Sequence, residues 1–172
     1  MRTEILGVGF DDLTIEEAAD RASALLEEEG FHYVVTPNPE LVDRARREET
    51  FREALNGADL VLPDGIGVVY AARLLGRSLK GRCPGIDFAG KLMERMARKG
   101  QRLYLLGAKP GVAEAAAARL EVRYPGLTIC GVHDGYFQED GPVVEDIRKA
   151  GADVVFVCLG FPKRSDVRPY EP

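Results

Sequence analysis

The sequence predicts an α/β fold, with a Rossmann-like, mostly parallel sheet and helices on both of its faces. Short apolar runs rich in β-branched residues alternate with helical patterns along the chain. Two of these runs, residues 33–35 and 60–62, stop abruptly in turns that contain proline or glycine, and a helical pattern follows each turn. Strands that alternate with helices of about ten to fifteen residues form right-handed βαβ units, which build parallel sheets.

The first half of the chain carries clear signals for helix starts. Thr14 and Glu17 have the spacing of a capping box, which predicts a helix to about residue 29. Asn38 is suited to cap the next helix, and Pro39 to occupy its first position. The predicted strands are residues 4–8, 31–36 and 59–62. The other predicted helices are residues 39–55 with a break near residue 50, a helix after Asp64 to about residue 75, and residues 86–99.

The second half repeats the alternation of strands and helices. Predicted strands cover residues 102–106, 127–132 and 153–159, and predicted helices follow a glycine turn at 107–111 and cover residues 143–150. Residues 1–163 are therefore expected to form one domain. Residues 164–172 are polar, contain two prolines and lack helical periodicity, so a disordered tail is expected there.

The composition is that of a soluble globular protein. It is 45% hydrophobic and 30% charged, and no apolar run approaches the roughly 18 to 20 residues of a membrane span. No secretory signal is visible, so a cytoplasmic location is expected. A net charge of -5 disfavours nucleic-acid binding. The cysteines lack metal-site spacing and are interpreted as structural, with Cys130 and Cys158 expected to be buried.

Three cofactor signatures come close and fail. Residues 65–67 begin like a dinucleotide fingerprint, but Tyr70 stands where a third glycine is needed. Residues 85–91 match the spacing of a phosphate-binding loop, but Leu92 replaces the Ser or Thr that binds Mg²⁺, and the intervening residues favour a helix. Asp11 and Asp12 are interpreted as surface residues of an early turn. Neither a metal nor a cofactor is implied.

Thr36, Asn38 and Asp64 come directly after two predicted strands. Ligands of open parallel sheets bind beyond the carboxyl ends of the strands, so these residues are expected to face one crevice. Asp64, between Pro63 and Gly65, is suited either to act as a general base on a hydroxyl or to cap the following helix. Two such polar turns at one edge favour a ligand with several hydroxyls, such as a sugar.

Two further places are candidates for binding an anion. Arg82 precedes a Pro-Gly pair and a helix start, where its guanidinium can bind a phosphate, although a solvated charge is the simpler interpretation. The turn that begins at Gly107 leads into a helix, whose amides can receive a diphosphate. Tyr136 and Phe137 follow a glycine turn, and at least one is expected in the core. His133 is interpreted as structural.

These residues together resemble the WecG/TagA/CpsF family of bacterial glycosyltransferases, glycosyltransferase family 26. The motifs occur in family order, and the set is highly specific although each motif alone is weak. They are Thr36-Pro37-Asn38-Pro39-Glu40, Leu62-Pro63-Asp64-Gly65-Ile66-Gly67, Arg82 before Gly85-Ile86-Asp87, Leu105-Leu106-Gly107, His133-Asp134-Gly135-Tyr136-Phe137 and Leu159-Gly160-Phe161-Pro162-Lys163.

The resemblance implies an inverting, metal-independent transfer of N-acetylmannosamine from UDP to N-acetylglucosamine on undecaprenyl diphosphate. That step belongs to the synthesis of wall teichoic acid or related surface polymers. Asp64 would be the base and Arg82 would stabilise negative charge. The implied substrate-binding residues are Thr36, Asn38, Gly65, Gly107, Tyr136 and Lys163. A polyprenyl-linked acceptor implies a peripheral contact with the inner face of the cell membrane. Whether the chain forms a homo-oligomer is left open by the sequence.

The chain departs from the family after Lys163. Family members continue with Gln-Glu and a tryptophan, then another strand, a glycine-rich Phe-Asp motif and a basic C-terminal segment, whereas Arg164-Ser165-Asp166 follows here. The chain is therefore expected to lack the family's C-terminal segment. The alternative hypothesis is a non-catalytic module that binds a nucleotide sugar. A dinucleotide-dependent oxidoreductase is disfavoured by the missing third glycine.

Overall fold

A hairpin, four short or medium helices and a pair of parallel strands precede the long helix in the middle of the chain. These elements belong to a computed structural model of the protein that describes residues 2–159. The chain divides into two units, Met1–Leu92 and Met93–Pro172, so the boundary falls within that long helix. The expectation of a single domain over residues 1–163 stays a prediction.

The first unit begins with an antiparallel hairpin of β1 (Arg2–Ile5) and β2 (Val8–Asp11). Its two turn residues, Leu6 and Gly7, both have positive φ, 52° and 88°, as the tightest hairpin turns require. A single strand over residues 4–8 was expected from the sequence, and that prediction is wrong. Leucine rarely adopts positive φ, so the turn has no obvious signature in the sequence.

Two helices of the first unit start where their predicted caps place them. Thr14 and Glu17 form the capping box, and Asn38 caps the helix that has Pro39 at its first position. A helix break was expected near residue 50 and lies at Glu48. In chain order the elements are α1 (Ile15–Leu25), β3 (Val34–Val35), α2 (Pro39–Arg47), α3 (Glu49–Asn56), β4 (Leu60–Val61), α4 (Ile66–Leu74) and α5 (Gly85–Lys99).

Strands β3 and β4 are short, but their parallel pairing extends beyond both ends. Val34 pairs with Leu60 and Val35 with Val61. Backbone hydrogen bonds continue the ladder, because the Leu62 N–H donates to the Val35 carbonyl at 2.9 Å and the Asp64 N–H donates to the Pro37 carbonyl at 3.2 Å. The two turns that follow the strands are therefore held side by side.

Asp11 joins the hairpin to this parallel pair. Its carboxylate accepts a hydrogen bond from the Val61 N–H at 2.8 Å and forms an ion pair with Arg2 at 3.1 Å. The Arg2 guanidinium also donates to the Asn56 carbonyl at 2.7 Å. Asp11 is partly buried in β2, so its interpretation as a surface residue of a turn is wrong. Around these contacts the core of the unit contains Ile5, Val8, Phe10, Val42, Ala45, Leu55, Ala58, Val61, Val68, Ala72 and Leu79.

The second unit contains three parallel strands in the order β6-β5-β7, where β5 is Arg102–Gly107, β6 is Thr128–His133 and β7 is Val154–Cys158. Helix α6 (Val112–Arg123) connects β5 to β6, and α7 (Asp140–Ala150) connects β6 to β7. Helix α7 begins three residues before the predicted position. Apart from the hairpin, every strand pairing in the described residues is parallel, which confirms the α/β class, although the strands form separate sheets.

The order of the strands places α6 and α7 on opposite faces of the second sheet. The connection from β5 to β6 moves towards one edge of the sheet, and the connection from β6 to β7 moves back towards the other edge. Because both connections are right-handed, their helices lie on opposite faces. Tyr104 and Leu106, which point to the same side of β5, pack with Val143 and Ile147 of α7. The crevice beyond the ends of β5 and β6 is thus a topological switch point.

The burial of the cysteines differs in part from the prediction. Cys83 is fully buried, Cys130 is half-buried and Cys158 is exposed, so the expected burial of Cys158 is wrong. The predicted tail at residues 164–172 and the candidate Lys163 lie outside the described residues. Within residues 2–159, no helix has the length and apolar character needed to cross a membrane.

Candidate functional site

The ends of β3 and β4 bring together three of the predicted site residues. Thr36 and Asn38 lie in the turn after β3, and Asp64 lies in the turn after β4. All three side chains are half-buried. The hydrogen bond from the Asp64 N–H to the Pro37 carbonyl, at 3.2 Å, fixes one turn against the other. The expected convergence of these residues is therefore present in the first unit.

Asn38 uses its side-chain oxygen to cap α2. The Leu41 N–H donates to Asn38 Oδ1 at 3.0 Å, and Pro39 fills the first helical position, where its missing N–H has no consequence. The cap fixes the rotamer of Asn38. Its amide nitrogen has no partner among the described residues, so the group at the turn that can donate to a ligand is the Asn38 NH₂.

Asp64 holds the start of α5 rather than the start of α4. Gly65 is the N-cap of α4, and no side chain caps that helix. The Gly85 N–H, at the first residue of α5, instead donates to Asp64 Oδ2 at 3.3 Å. N–H groups at a helix start have no partner within the helix, and they stabilise a carboxylate. Asp64 Oδ1 has no hydrogen-bond partner among the described residues.

Gly85 also fits closely against Thr36. A Cβ placed on Gly85 would lie 3.0 Å from Thr36 Oγ1, tighter than ordinary packing. The hydroxyl of Thr36, the backbone of Gly85 and the carboxylate of Asp64 thus form one contiguous cluster. Together with Asn38, this cluster offers a hydroxyl, a carboxylate oxygen and an amide NH₂, which is a suitable set for the hydroxyl groups of a sugar.

Two glycines shape the turn after Asp64. Gly65 has φ 94° and ψ 148°, a conformation that residues with a Cβ avoid. A Cβ on Gly67 would lie 2.7 Å from Pro39 Cγ, so the first turns of α2 and α4 approach more closely than a side chain at residue 67 would permit. Gly65 therefore allows the backbone turn that positions Asp64. This gives a structural reason for including Gly65 among the predicted site residues.

Cys83 lies beneath this cluster. Its N–H donates to the Pro63 carbonyl at 2.7 Å, and its side chain is fully buried. Burial, followed by the nearby negative charges of Asp64 and Asp87, raises the pKa of the Cys83 thiol to about 11. The thiol is therefore neutral near pH 7, in agreement with a structural role. Asp87 lies in the first turn of α5, two residues after Gly85, whose N–H binds the Asp64 carboxylate.

Arg82 lies one residue before Cys83 and is exposed. Among the residues that the structure describes, its guanidinium has no hydrogen-bond or ion-pair partner. It is thus free to meet an anion, but no contact in the first unit orients it towards Asp64.

In the second unit, the turns after β5 and β6 contain Gly107 and Tyr136. A Cβ on Gly107 would lie 2.4 Å from the Cys158 carbonyl oxygen, and its φ is 130°, so only glycine fits at this strand end. The Gly135 N–H donates to the Ala108 carbonyl at 2.9 Å and joins the two turns. Tyr136 is 67% exposed beside them. Helix α6 follows Gly111, and no side chain caps its first N–H groups.

His133 and Phe137 support the loop that carries Tyr136. The Nδ1 of His133 lies 2.7 Å from the Asp134 carbonyl oxygen, so that nitrogen carries the proton. The rings of His133 and Phe137 meet edge to face at 5.6 Å, and Phe137 packs against the core beneath α7. The expectations of a core aromatic and a structural histidine are in keeping with these contacts.

The sequence indicated the turns but missed some of their partners. The missed partners are Gly85, which binds the Asp64 carboxylate, and Cys83, which binds the Pro63 carbonyl. The signal that could have indicated them is the Pro-Gly pair at the start of a helix. The structure groups Thr36, Asn38, Asp64 and Gly65 in the first unit and Gly107 with Tyr136 in the second. Within the described residues, no group of three or more His, Cys, Asp and Glu side chains is arranged to bind a metal.

Comparison with known proteins gives a family and named relatives. Residues 3–167 match the model of the glycosyl transferase WecG/TagA/CpsF family. An N-acetylglucosaminyldiphosphoundecaprenol N-acetyl-beta-D-mannosaminyltransferase of Staphylococcus aureus (strain NCTC 8325 / PS 47) is 34% identical over 168 residues, which cover 96% of this chain and 66% of the relative. A protein of the same name from Bacillus spizizenii is 35% identical over 132 residues, covering 77% of this chain and 51% of that relative. The chain thus spans 66% of the first relative and 51% of the second, less than two thirds of the length of each.

Proposed function

Because the chain belongs to the WecG/TagA/CpsF family of glycosyltransferases, we propose that it transfers N-acetylmannosamine from UDP to N-acetylglucosamine on undecaprenyl diphosphate. The observation that carries the proposal is the Asp64 carboxylate at the end of β4. One of its oxygens is held by the Gly85 N–H, and the other has no partner among the described residues. A fixed carboxylate with one available oxygen is what a general base for a hydroxyl requires.

The proposed reaction is a single displacement with inversion. The acceptor hydroxyl oxygen attacks the anomeric carbon of the donor sugar and forms the new glycosidic bond. The bond between that carbon and the diphosphate oxygen breaks, and UDP leaves with the electron pair. The hydroxyl proton passes to Asp64 Oδ1. Thr36 and the Asn38 amide are proposed to hold sugar hydroxyls, and Gly65 sets the backbone direction at the base.

Negative charge on the departing diphosphate needs donors or cations. We assign this task to Arg82, whose guanidinium is unpaired in the first unit, and to the turn at Gly107 with the uncapped amides of α6 in the second. Tyr136 offers an exposed ring for contact with the donor. Lys163 is assigned to substrate binding from the family motif alone. With these groups the mechanism needs no metal ion.

The destination of the product and the place of the reaction are also proposals. A disaccharide on undecaprenyl diphosphate serves wall teichoic acid or a related surface polymer. A lipid-linked acceptor implies that the chain works at the cytoplasmic face of the membrane, as a peripheral protein.

Transfer of labelled N-acetylmannosamine to a short-chain, water-soluble lipid-diphosphate acceptor tests the proposal. Asp64→Asn keeps the shape of the side chain but is a very weak base, so turnover should fall by about 10²–10⁴-fold. Asp87→Asn is the matched control, because this carboxylate lies near the site without the proposed role, and it should retain most of the turnover. Circular dichroism shows whether both variants are folded.

The outcomes separate the competing hypotheses. Full turnover by Asp64→Asn would exclude Asp64 as the base. A folded wild-type chain that binds the UDP-sugar without transferring it would favour the non-catalytic module instead. Tight binding of NAD with no binding of the UDP-sugar would favour an oxidoreductase.

A further inference from the structure

Helix α4 exposes large apolar side chains on the side that faces away from the core. Ile66, Tyr70 and Leu74 are spaced by four residues and are 49%, 54% and 89% exposed. Residues at this spacing lie above one another on a single side of a helix. Val68 and Val69, on the opposite side, are buried. Packing in the core therefore explains why the buried side of α4 is apolar, but it does not explain why the exposed side is apolar.

Helix α4 and the segment that follows it also carry unpaired positive charge. Residues 65–86 contain four basic and no acidic residues, in a chain whose net charge is -5. Lys80 forms an ion pair with Glu17 at 2.8 Å. Arg73 and Arg77 have no ion-pair partner in the described part of the chain, and the Arg73 guanidinium lies 6.0 Å from the centre of the Tyr70 ring.

Helix α5 adds one more exposed apolar residue next to Asp64. Ile86, in the first turn of α5, is 79% exposed and follows Gly85, whose N–H binds the Asp64 carboxylate. Helix α4 itself begins two residues after Asp64. We define Ile66, Tyr70, Arg73, Leu74, Arg77 and Ile86 as the α4 face. Both helices that form it begin at the candidate base.

We propose that the α4 face rests on a lipid bilayer that contains anionic headgroups. Apolar side chains interspersed with arginines are the composition of surfaces that lie in the interface, with the apolar groups among the acyl chains and the cations at the headgroups. A second copy of the chain is a poorer occupant. A two-fold contact would oppose the arginines of one copy to those of the other, and residues 65–86 contain no acid to pair with them.

The consequence for the reaction rests on the proposed function. The sugar of a lipid-linked acceptor lies just outside the headgroups, because its polyprenyl chain is in the bilayer. A chain seated on its α4 face would have Asp64 at the edge of the contact, on the side where the acceptor hydroxyl is presented. Lipid binding itself does not depend on the assignment of Asp64.

Vesicle sedimentation without any substrate tests the surface. The full chain is mixed with vesicles of phosphatidylcholine, with or without phosphatidylglycerol, and the bound fraction is measured. Leu74→Ser should lower the partition coefficient roughly tenfold, since one exposed leucine no longer enters the apolar layer. Arg73→Gln and Arg77→Gln should each lower it about fivefold on phosphatidylglycerol, less in high salt, and have little effect on phosphatidylcholine alone.

Helix α6 supplies matched controls. Val122 is 82% exposed and Arg119 is exposed on the same helix, so Val122→Ser and Arg119→Gln remove similar groups from a helix of the second unit. Neither control should change vesicle binding. Equal losses in the controls and in the α4-face variants would overturn the proposal. So would equal binding to both vesicle types, or a monomer–dimer change in Leu74→Ser without a loss of lipid binding.

The acceptor assay distinguishes failure of this inference from failure of the proposed function. With the short-chain, water-soluble acceptor, Leu74→Ser should transfer sugar as well as the wild type. With full-length acceptor in vesicles it should be slower by about the same factor as its lost binding. Vesicle binding by a chain without transferase activity would support the surface and overturn the function. Transfer to the soluble acceptor by a chain that does not bind vesicles would support the function and overturn the lipid-binding surface.

Discussion

Replacement of Gly65 by alanine tests whether the turn at Asp64 depends on a glycine conformation. Gly65 has φ 94° and ψ 148°. For residues other than glycine this region is strained by about 1–3 kcal/mol. The alanine Cβ has room, because its nearest neighbour would be Pro39 Cδ at 3.7 Å. The loss would therefore come from the backbone alone.

The expected size follows from two opposing terms. Alanine also restricts the unfolded chain, which returns about 0.4–1 kcal/mol. The midpoints of the two ranges, about 2 and about 0.7 kcal/mol, leave a net loss of about 1.3 kcal/mol in the free energy of unfolding, which lowers Tm by about 3–5 °C for a chain of this length. Urea unfolding followed by circular dichroism measures the free energy, and turnover measures the orientation of Asp64, which should be disturbed in the folded variant.

Two other glycines serve as controls. Gly81 has no atom within 4 Å of an added Cβ and does not have positive φ, so Gly81→Ala should not lower stability. At Gly67 the conformation is helical, but the Cβ would meet Pro39 Cγ at 2.7 Å, so Gly67→Ala tests steric contact alone. A Gly65→Ala variant within about 0.5 kcal/mol of the wild type, or a Gly81→Ala variant as unstable as Gly65→Ala, would contradict a strained backbone at Gly65.

Two further predictions concern the interior of each unit. The fully buried Tyr104 donates its hydroxyl hydrogen to Asp146 at 2.5 Å, so Tyr104→Phe should lower the free energy of unfolding by about 1.5–3 kcal/mol in urea titrations; a change below about 0.5 kcal/mol would contradict it. Iodoacetamide should alkylate the exposed Cys158 before the buried Cys83, whose raised pKa of about 11 keeps it a neutral thiol until the pH approaches that value. Mass spectrometry of the modified peptides gives the order, and faster modification of Cys83 at pH 7 would contradict the burial argument.

Local signals predicted the helix starts because their causes are local. The cap at Asn38 needs only the N–H of Leu41, three residues away. Helix α7 was the exception. Its start was predicted at residue 143, yet Gly141 and Pro142 already lie in the first turn of the helix, where proline is tolerated because its N–H would have no partner there.

The candidate site was predictable in part for the same reason. The rule that ligands bind at the carboxyl ends of parallel strands was enough to group Thr36 with Asp64. The partner of the Asp64 carboxylate was not predictable, because Gly85 is 21 residues away and reaches it only through the return of the chain to α5. The cap expected at α4 therefore appears at another helix. Tertiary contacts of this kind leave no periodic trace in the sequence.

The exposed side of α4 is informative because folding does not account for it. Val68 and Val69 must be apolar to fill the core, whereas Leu74 is 89% exposed and a polar residue there would leave the core intact. Single exposed apolar residues are ordinary on protein surfaces, but an aligned series with arginines and no acids is not. The turn that positions Asp64 also starts this helix. The short stretch from Asp64 to Ile86 therefore carries both the proposed base and the proposed lipid contact.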